Sequence, residues 1–148
     1  MSNWIYITNS DNWVVTKKTN ILGASARNKN TLSKVKKGDK CLVYVKGEII
    51  AGETSGPKIV AQYKIASTVF EDSKKMFVTP PNASHETFPL RLRLEPITVF
   101  EPPIDFKPLI LRLSFLPNKT HWTGPIRGRA MVQIPQSDYE CISSGAKK

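Results

Sequence analysis

The chain has 148 residues, 40% of them hydrophobic, and a formal net charge of +10. That length suits one domain with a sizeable core, expected over residues 1–148 with an ordered part from about 3 to 142. No apolar run approaches the roughly 20 residues of a membrane span, and no basic segment followed by an apolar stretch marks an export signal, so a soluble, cytoplasmic protein is expected. Cys41 and Cys141 share no metal-ligand spacing, and Cys41 reads as a small buried hydrophobe. No metal or cofactor is expected.

In chain order, the apolar strand Trp4–Ile7 runs into the polar turn Thr8-Asn9-Ser10-Asp11. Ser10-Asp11-Asn12 offers a cap for a short helix over Trp13–Lys18. The segment Asn20-Ile-Leu-Gly-Ala-Ser-Ala-Arg-Asn-Lys-Asn30 holds small, amide and cationic side chains with few apolar ones. It reads as a loop that cannot bury itself and is therefore available to bind. A single helical turn follows over Leu32–Val35, then strands over Cys41–Val45, Ile59–Thr68 and Thr87–Ile97, with Glu48–Pro57 as a hairpin connection. In Leu90-Arg-Leu-Arg-Leu94 the strict alternation predicts one face buried and the arginines in water. Pro103–Leu116 spaces Phe106, Leu109, Ile110, Leu113 and Leu116 as on a helix capped by Asp105, with Pro108 in its first turn. Ala130–Val132 predicts a strand, Pro135–Ile142 a final helical turn or two, and Ser143–Lys148 a frayed tail. Short strands, two or three helices and one core predict an α+β protein built on a partly closed barrel.

The charge is unevenly placed. Residues 17–40 carry eight cations against one Asp, and residues 107–129 carry five cations and no anion, whereas the 66 residues between them sum to −1. Brought together, the two basic blocks form a polyanion site. Catalytic motifs are lacking: there is no G-x-S-x-G, no Gly-rich phosphate loop and no H-E-x-x-H. His85 and His121 read as surface residues, and no catalytic residue is nominated. Aromatics in loops are the better lead. Phe70 and Phe77 border the Val69–Thr79 loop, and Trp122 sits in the turn-rich Asn118-Lys-Thr-His-Trp-Thr-Gly-Pro125. Rings beside cations suit base stacking. Trp4 and Trp13 fit better as caps on a barrel, and Trp122 suits either role.

Taken together, Asn3-Trp-Ile-Tyr-Ile-Thr-Asn9, Asn20-Ile-Leu-Gly-Ala-Ser25, Lys34-Val-Lys-Lys-Gly-Asp-Lys-Cys-Leu-Val-Tyr-Val45 and Ile59-Val-Ala-Gln-Tyr63 resemble the EVE domain, a PUA-like fold related to the YTH domain. Phe106-Lys-Pro-Leu-Ile110, Leu113-Ser-Phe-Leu116, Arg127-Gly-Arg-Ala-Met131, Ile134-Pro135 and Asp138-Tyr139 continue the resemblance in order, and the whole looks most like stand-alone archaeal EVE proteins. The resemblance implies a barrel of about six strands and a pocket for one flipped base, often a modified one, in DNA or RNA. It also implies a binding module rather than an enzyme. By position, Thr8 and Asn9 fall near the base edge, and Leu22, Gly23, Ala24 and Ser25 line one side. Phe70, Phe77 and Trp122 supply the opposite wall. Arg127 and Arg129 hold the backbone, a role extended to Arg27, Lys29 and Lys119. One departure stands out: YTH relatives and some archaeal EVE relatives carry Trp where this chain has Leu22, and Leu offers no π face to a charged methylated base. Two other readings use the same residues: a sensor of a free nucleobase or nucleotide-like metabolite, and an accessory subunit of an RNA-modifying enzyme.

Overall fold

Strand β1 (Asn3–Thr8) is apolar at consecutive positions because it is buried on both faces. Side chains alternate across a strand, so Trp4 and Tyr6 enter one core cluster while Ile5 and Ile7 enter another. The same division runs through β3 (Lys40–Val45), whose Cys41 and Val43 join the first cluster and Leu42 and Tyr44 the second. The computed structural model describes residues 1–50, 52–79 and 85–145. Its remaining strands are β2 (Ile21–Ala24), β4 (Glu48–Ile50), β5 (Glu53–Ser55), β6 (Lys58–Ile65), β7 (Phe70–Glu71), β8 (Leu90–Asp105) and β9 (Met131–Ile134). The helices are α1 (Ser10–Thr19), α2 (Lys29–Leu32) and α3 (Gln136–Ser144), with 3₁₀ turns at Ala26–Asn28 and Lys107–Arg112.

The main sheet runs β2-β8-β6-β3-β1-β9, with β7 paired to β8 and a separate β4–β5 hairpin. Strand β1 is parallel to β3, Thr8 opposite Val45, and antiparallel to β9, Tyr6 opposite Met131. Strand β8 is long enough to serve three neighbours: Leu90–Arg93 pair with β2, Leu90 and Arg91 also with β7, and Leu94 to Asp105 with β6. Register shifts interrupt both β3–β6 and β6–β8. Such irregularities bend strands, and the sheet curls into a half-barrel. One side chain spans the curl. Tyr6 on β1 donates its hydroxyl to the Gly23 carbonyl at 2.9 Å, and the Gly23 N–H points back to it at 3.4 Å, although three strands separate β1 from β2 in the sheet. Burial pushes the Tyr6 phenol up to about 12, against the hydrogen bonds that favour ionisation. It therefore stays a donor.

Five expectations are corrected. The binding loop after Asn20 contains a strand, β2, and Leu22, Gly23 and Ala24 within it are buried. Its burial comes from pairing with β8, a non-local contact with no local period. Arg91 is 0% exposed rather than in water, because the 72–77 and 86–88 segments fold over that face of β8 and offer it carbonyls. The strand expected to stop at Ile97 continues to Asp105, with Ile104 opposite Ile59. The helix over Pro103–Leu116 shrinks to the 3₁₀ turn Lys107–Arg112. Beyond that turn, the Asp138 carboxylate accepts from the N–H groups of Ser114 and Phe115 and from the Ser114 hydroxyl, so a tertiary partner takes donors a helix would have used itself. In α1, Asn9 rather than Ser10 is the cap, its side chain accepting from the Asn12 N–H at 2.8 Å. The expected tail falls partly outside the described residues, at 146–148.

Trp4 and Trp13 are structural: Trp4 lies in the first core cluster and Trp13 packs against it. Trp13 meets Tyr63 edge-on at 6.3 Å. The Trp4 indole donates to Asp39, which also accepts from the N–H groups of Ser2 and Lys36. Burial alone would raise the Asp39 carboxyl, but these donors hold it below its ordinary value. A carboxyl depressed on folding stabilises fully above its unfolded value, about 4, and ceases to do so as pH falls through the lower folded value. Asp39→Asn should therefore lower Tm at neutral pH, with the gap to wild type closing in acid; a gap independent of pH would contradict this role. A Cβ on Gly23 would lie 2.4 Å from the Phe77 ring, so Gly23→Ala should cost about 1–3 kcal/mol by overpacking, read as a shift in urea midpoint.

Candidate nucleic-acid interface

A cavity of about 290 Å³ opens where the ends of β1 and β2 meet the loops after β3, β7 and before β9. It lies at the lower end of the roughly 300–1,000 Å³ of small-ligand pockets. Thr8 and Asn9 enter it as β1 passes into α1, and Gly23, Ala24 and Ser25 as β2 ends. The side-chain oxygen of Asn9 is committed to the α1 cap, so what Asn9 can offer a ligand is its amide nitrogen.

The opposite wall is Phe77 and Phe88, whose rings meet edge-on at 6.0 Å. Two clamps hold it. Asn12 on α1 accepts from the Val78 N–H and donates to the Val78 carbonyl, which fixes the backbone beside Phe77. The buried Arg91 donates to the carbonyls of Phe88, Thr87 and Lys74, lies 3.5 Å from Asp72, and sets its guanidinium 5.4 Å from the Phe77 ring centre. Buried charge is tolerated where it is paired and hydrogen-bonded, and here the price is met by the two loops that form the wall. Gly23 completes the arrangement, since Phe77 occupies the space a side chain there would need.

Between the two walls stands Glu86. Its carboxylate accepts from the Phe88 N–H at 2.9 Å. Burial raises this group, but its interactions with the Ser25 side chain and the Phe88 and Thr87 backbone more than offset that, and the acid is held below its ordinary range. It is thus an ionised acceptor near neutral pH. Around the opening are Arg27, Lys46 and Arg129. Arg27 comes from the first basic block and Arg129 from the second, so the fold joins the blocks at this cavity. Only two ion pairs, Lys58–Asp105 and Arg91–Asp72, occur among the described residues, leaving these three cations unneutralised.

Of the residues the sequence nominated, Thr8, Asn9, Gly23, Ala24, Ser25, Phe77, Arg27 and Arg129 line this cavity. Leu22 does not: it is 0% exposed inside the barrel, because its side chain points to the opposite face of β2 from Gly23. Phe70 pairs through β7 and lies under Arg93, 5.2 Å from its guanidinium. Lys29 is exposed and is not among the residues lining the cavity, and Lys119 donates to the Ile110 and Leu113 carbonyls at the end of the 3₁₀ turn. Trp122 and Arg127 line a second cavity beside the first. Sequence reasoning missed Glu86, Phe88 and Lys46. Lys46 was in principle accessible, since it follows β3, and a parallel β1–β3 pair puts it beside Thr8, whose carbonyl accepts its N–H. Among the described residues no group of three or more His, Cys, Asp or Glu could hold a metal, and no helix is long and apolar enough to cross a membrane.

Comparison with known proteins agrees with this architecture. Human THYN1, solved in complex with 5-methylcytosine-containing DNA, superposes with a TM-score of 0.63 at 12% identity, covering 100% of this chain and 99% of that one. The MmI1 YTH domain gives a TM-score of 0.57 at 12% identity, over 99% of this chain and 93% of that one. A UPF0310 protein of Pyrococcus abyssi is 44% identical over 144 residues, 97% of this chain and 99% of its own length, and one of Pyrococcus horikoshii is 42% identical over 143 residues, 96% and 97%. The EVE domain model matches residues 2–145, and the chain belongs to the EVE domain family.

Proposed function

We propose that this protein is a non-catalytic nucleic-acid-binding module that takes one base, flipped from its strand, into the cavity between β2 and the Phe77–Phe88 wall. The observation that carries the reading is the placing of an ionised acceptor, Glu86, inside an aromatic-walled cavity whose opening is ringed by Arg27, Lys46 and Arg129. Cations at the opening suit phosphates, which position a strand without reading it. The interior suits a base: unstacking costs a few kcal/mol, which stacking and edge hydrogen bonds offset.

Glu86 narrows the choice of base. A carboxylate accepts and cannot donate, so it favours a base whose edge presents an exocyclic amine (cytosine, adenine or guanine) over thymine and uracil, whose edge holds one N–H between two carbonyls. The complex of THYN1 with 5-methylcytosine DNA supports a base of this class, since methylation at C5 leaves that amine intact. Because Leu22 is walled off in the core, the aromatic contact available to a base comes from Phe77 and Phe88.

Binding of short single strands and duplexes with cytosine, 5-methylcytosine, adenine or thymine at one central position, at two salt concentrations, tests the reading. Salt-dependent binding with preference for an amino-bearing base is expected. Absence of strand binding at low salt would overturn it, and stabilisation by free bases alone would point instead to a small-molecule sensor. Glu86→Gln should cut the preference for cytosine over thymine about tenfold, within the roughly 1–3 kcal/mol a good edge contact contributes. By contrast, Arg129→Ala should weaken all strands alike and lower the salt slope by about one.

A further inference from the structure

The second cavity, about 390 Å³, shares Ile7, Lys46 and Gly128 with the first. The two are thus neighbouring chambers on either side of one rim. Trp122 and Tyr44 line the second chamber, and Arg127 stands at it. Trp122 is only half-buried and is braced by Phe106, 5.6 Å away, which in turn meets Tyr44 edge-on at 5.0 Å. Burial pushes the Tyr44 phenol up to about 12, so it stays neutral. Gly128 on the shared rim has φ +73 and nothing within 4 Å of where a Cβ would lie. Its conformation is one that L side chains rarely adopt, and it leaves bare backbone beside the exposed Lys46.

The chambers differ in one chemical respect. Glu86 gives the first an ionised acceptor, whereas the residues lining the second include no Asp or Glu. A braced ring among cations, without a charged edge reader, is the composition of a stacking platform that tolerates any base. Resting on the base-flipping reading above, we infer that the second chamber receives the nucleotide adjacent to the flipped base on the same strand. Its base lies against Trp122, and the phosphate between the two nucleotides lies over Lys46 and Gly128, with Arg127 and Arg129 on either side. The first chamber selects and the second only holds.

The test uses the wild-type protein and single strands carrying one 5-methylcytosine. The neighbouring nucleotide on the 5′ or the 3′ side is either one of the four ordinary bases or an abasic residue that keeps its phosphate. On one side the abasic residue should weaken binding about tenfold, as expected for one lost stacking contact, while exchange among the four bases there changes it less than about threefold. The abasic penalty should disappear in Trp122→Leu, with preference for the target base retained. Neutral abasic residues on both sides, with the target preference intact, would overturn the second chamber and leave the base reading standing. Indifference to the target base itself would overturn both. Should Trp122→Leu fail to fold, the abasic series on the wild-type protein decides the matter alone.

Discussion

The hydroxyl of Tyr6 bonds to Gly23 across three intervening strands, and the container formed by the sheet depends on that contact. A twisted six-strand sheet could remain open, with β2 and β9 as free edges. Drawing Gly23 onto Tyr6 brings the ends of β1 and β2 to one place, and these ends are the floor and side of the cavity. Because the contact is fully buried, losing the hydroxyl would strand a carbonyl without water, a cost of about 1–3 kcal/mol. Gly23 serves twice: its backbone holds the floor, and its missing side chain admits the ring that forms the wall. The closure of the barrel and the shape of the site are therefore one constraint.

The parts legible in the sequence are those with local chemistry. The apolar run Trp4–Ile7 marks a strand buried on both faces, and the ordered family segments indicate the fold. Thr8, Asn9 and Gly23–Ser25 were found because they lie on those segments. What escaped was decided by pairing at long range. Strand β2 has four residues and no alternation, and only its partner β8 shows it to be a strand. Leu22 looked like pocket wall because position in the chain gives no facing; one residue of offset from Gly23 puts it in the core. Glu86 and Phe88 sit in an irregular segment whose placement comes from Arg91. Trp122, for which two roles were open, lines a chamber and also packs on Phe106.

Arginine is used in two opposite ways. Arg91 is removed from water and surrounded by carbonyls, so its charge is spent on fixing the loops that carry Phe77 and Phe88. Arg27, Arg127 and Arg129 remain exposed, available to long-range attraction that salt screens. Net charge alone could not separate these uses, since an alternating strand gives Arg91 and Arg93 the same local sequence context. The two share one face of β8, and the separation comes from what covers it: the 72–77 and 86–88 segments close over Arg91 and leave Arg93 exposed.

The arrangement of β1 between β3 and β9 has a consequence for synthesis. The Ile7 N–H finds its acceptor in Ala130, and β1 gains its second neighbour only with Met131–Ile134. A ribosome therefore releases an apolar, two-faced strand long before the partner of its second edge exists. Contacts so distant in sequence slow folding, and a Trp-Ile-Tyr-Ile strand with one bare edge is the kind of surface that self-associates in the interval. Truncations before residue 131 would leave β1 with a bare edge.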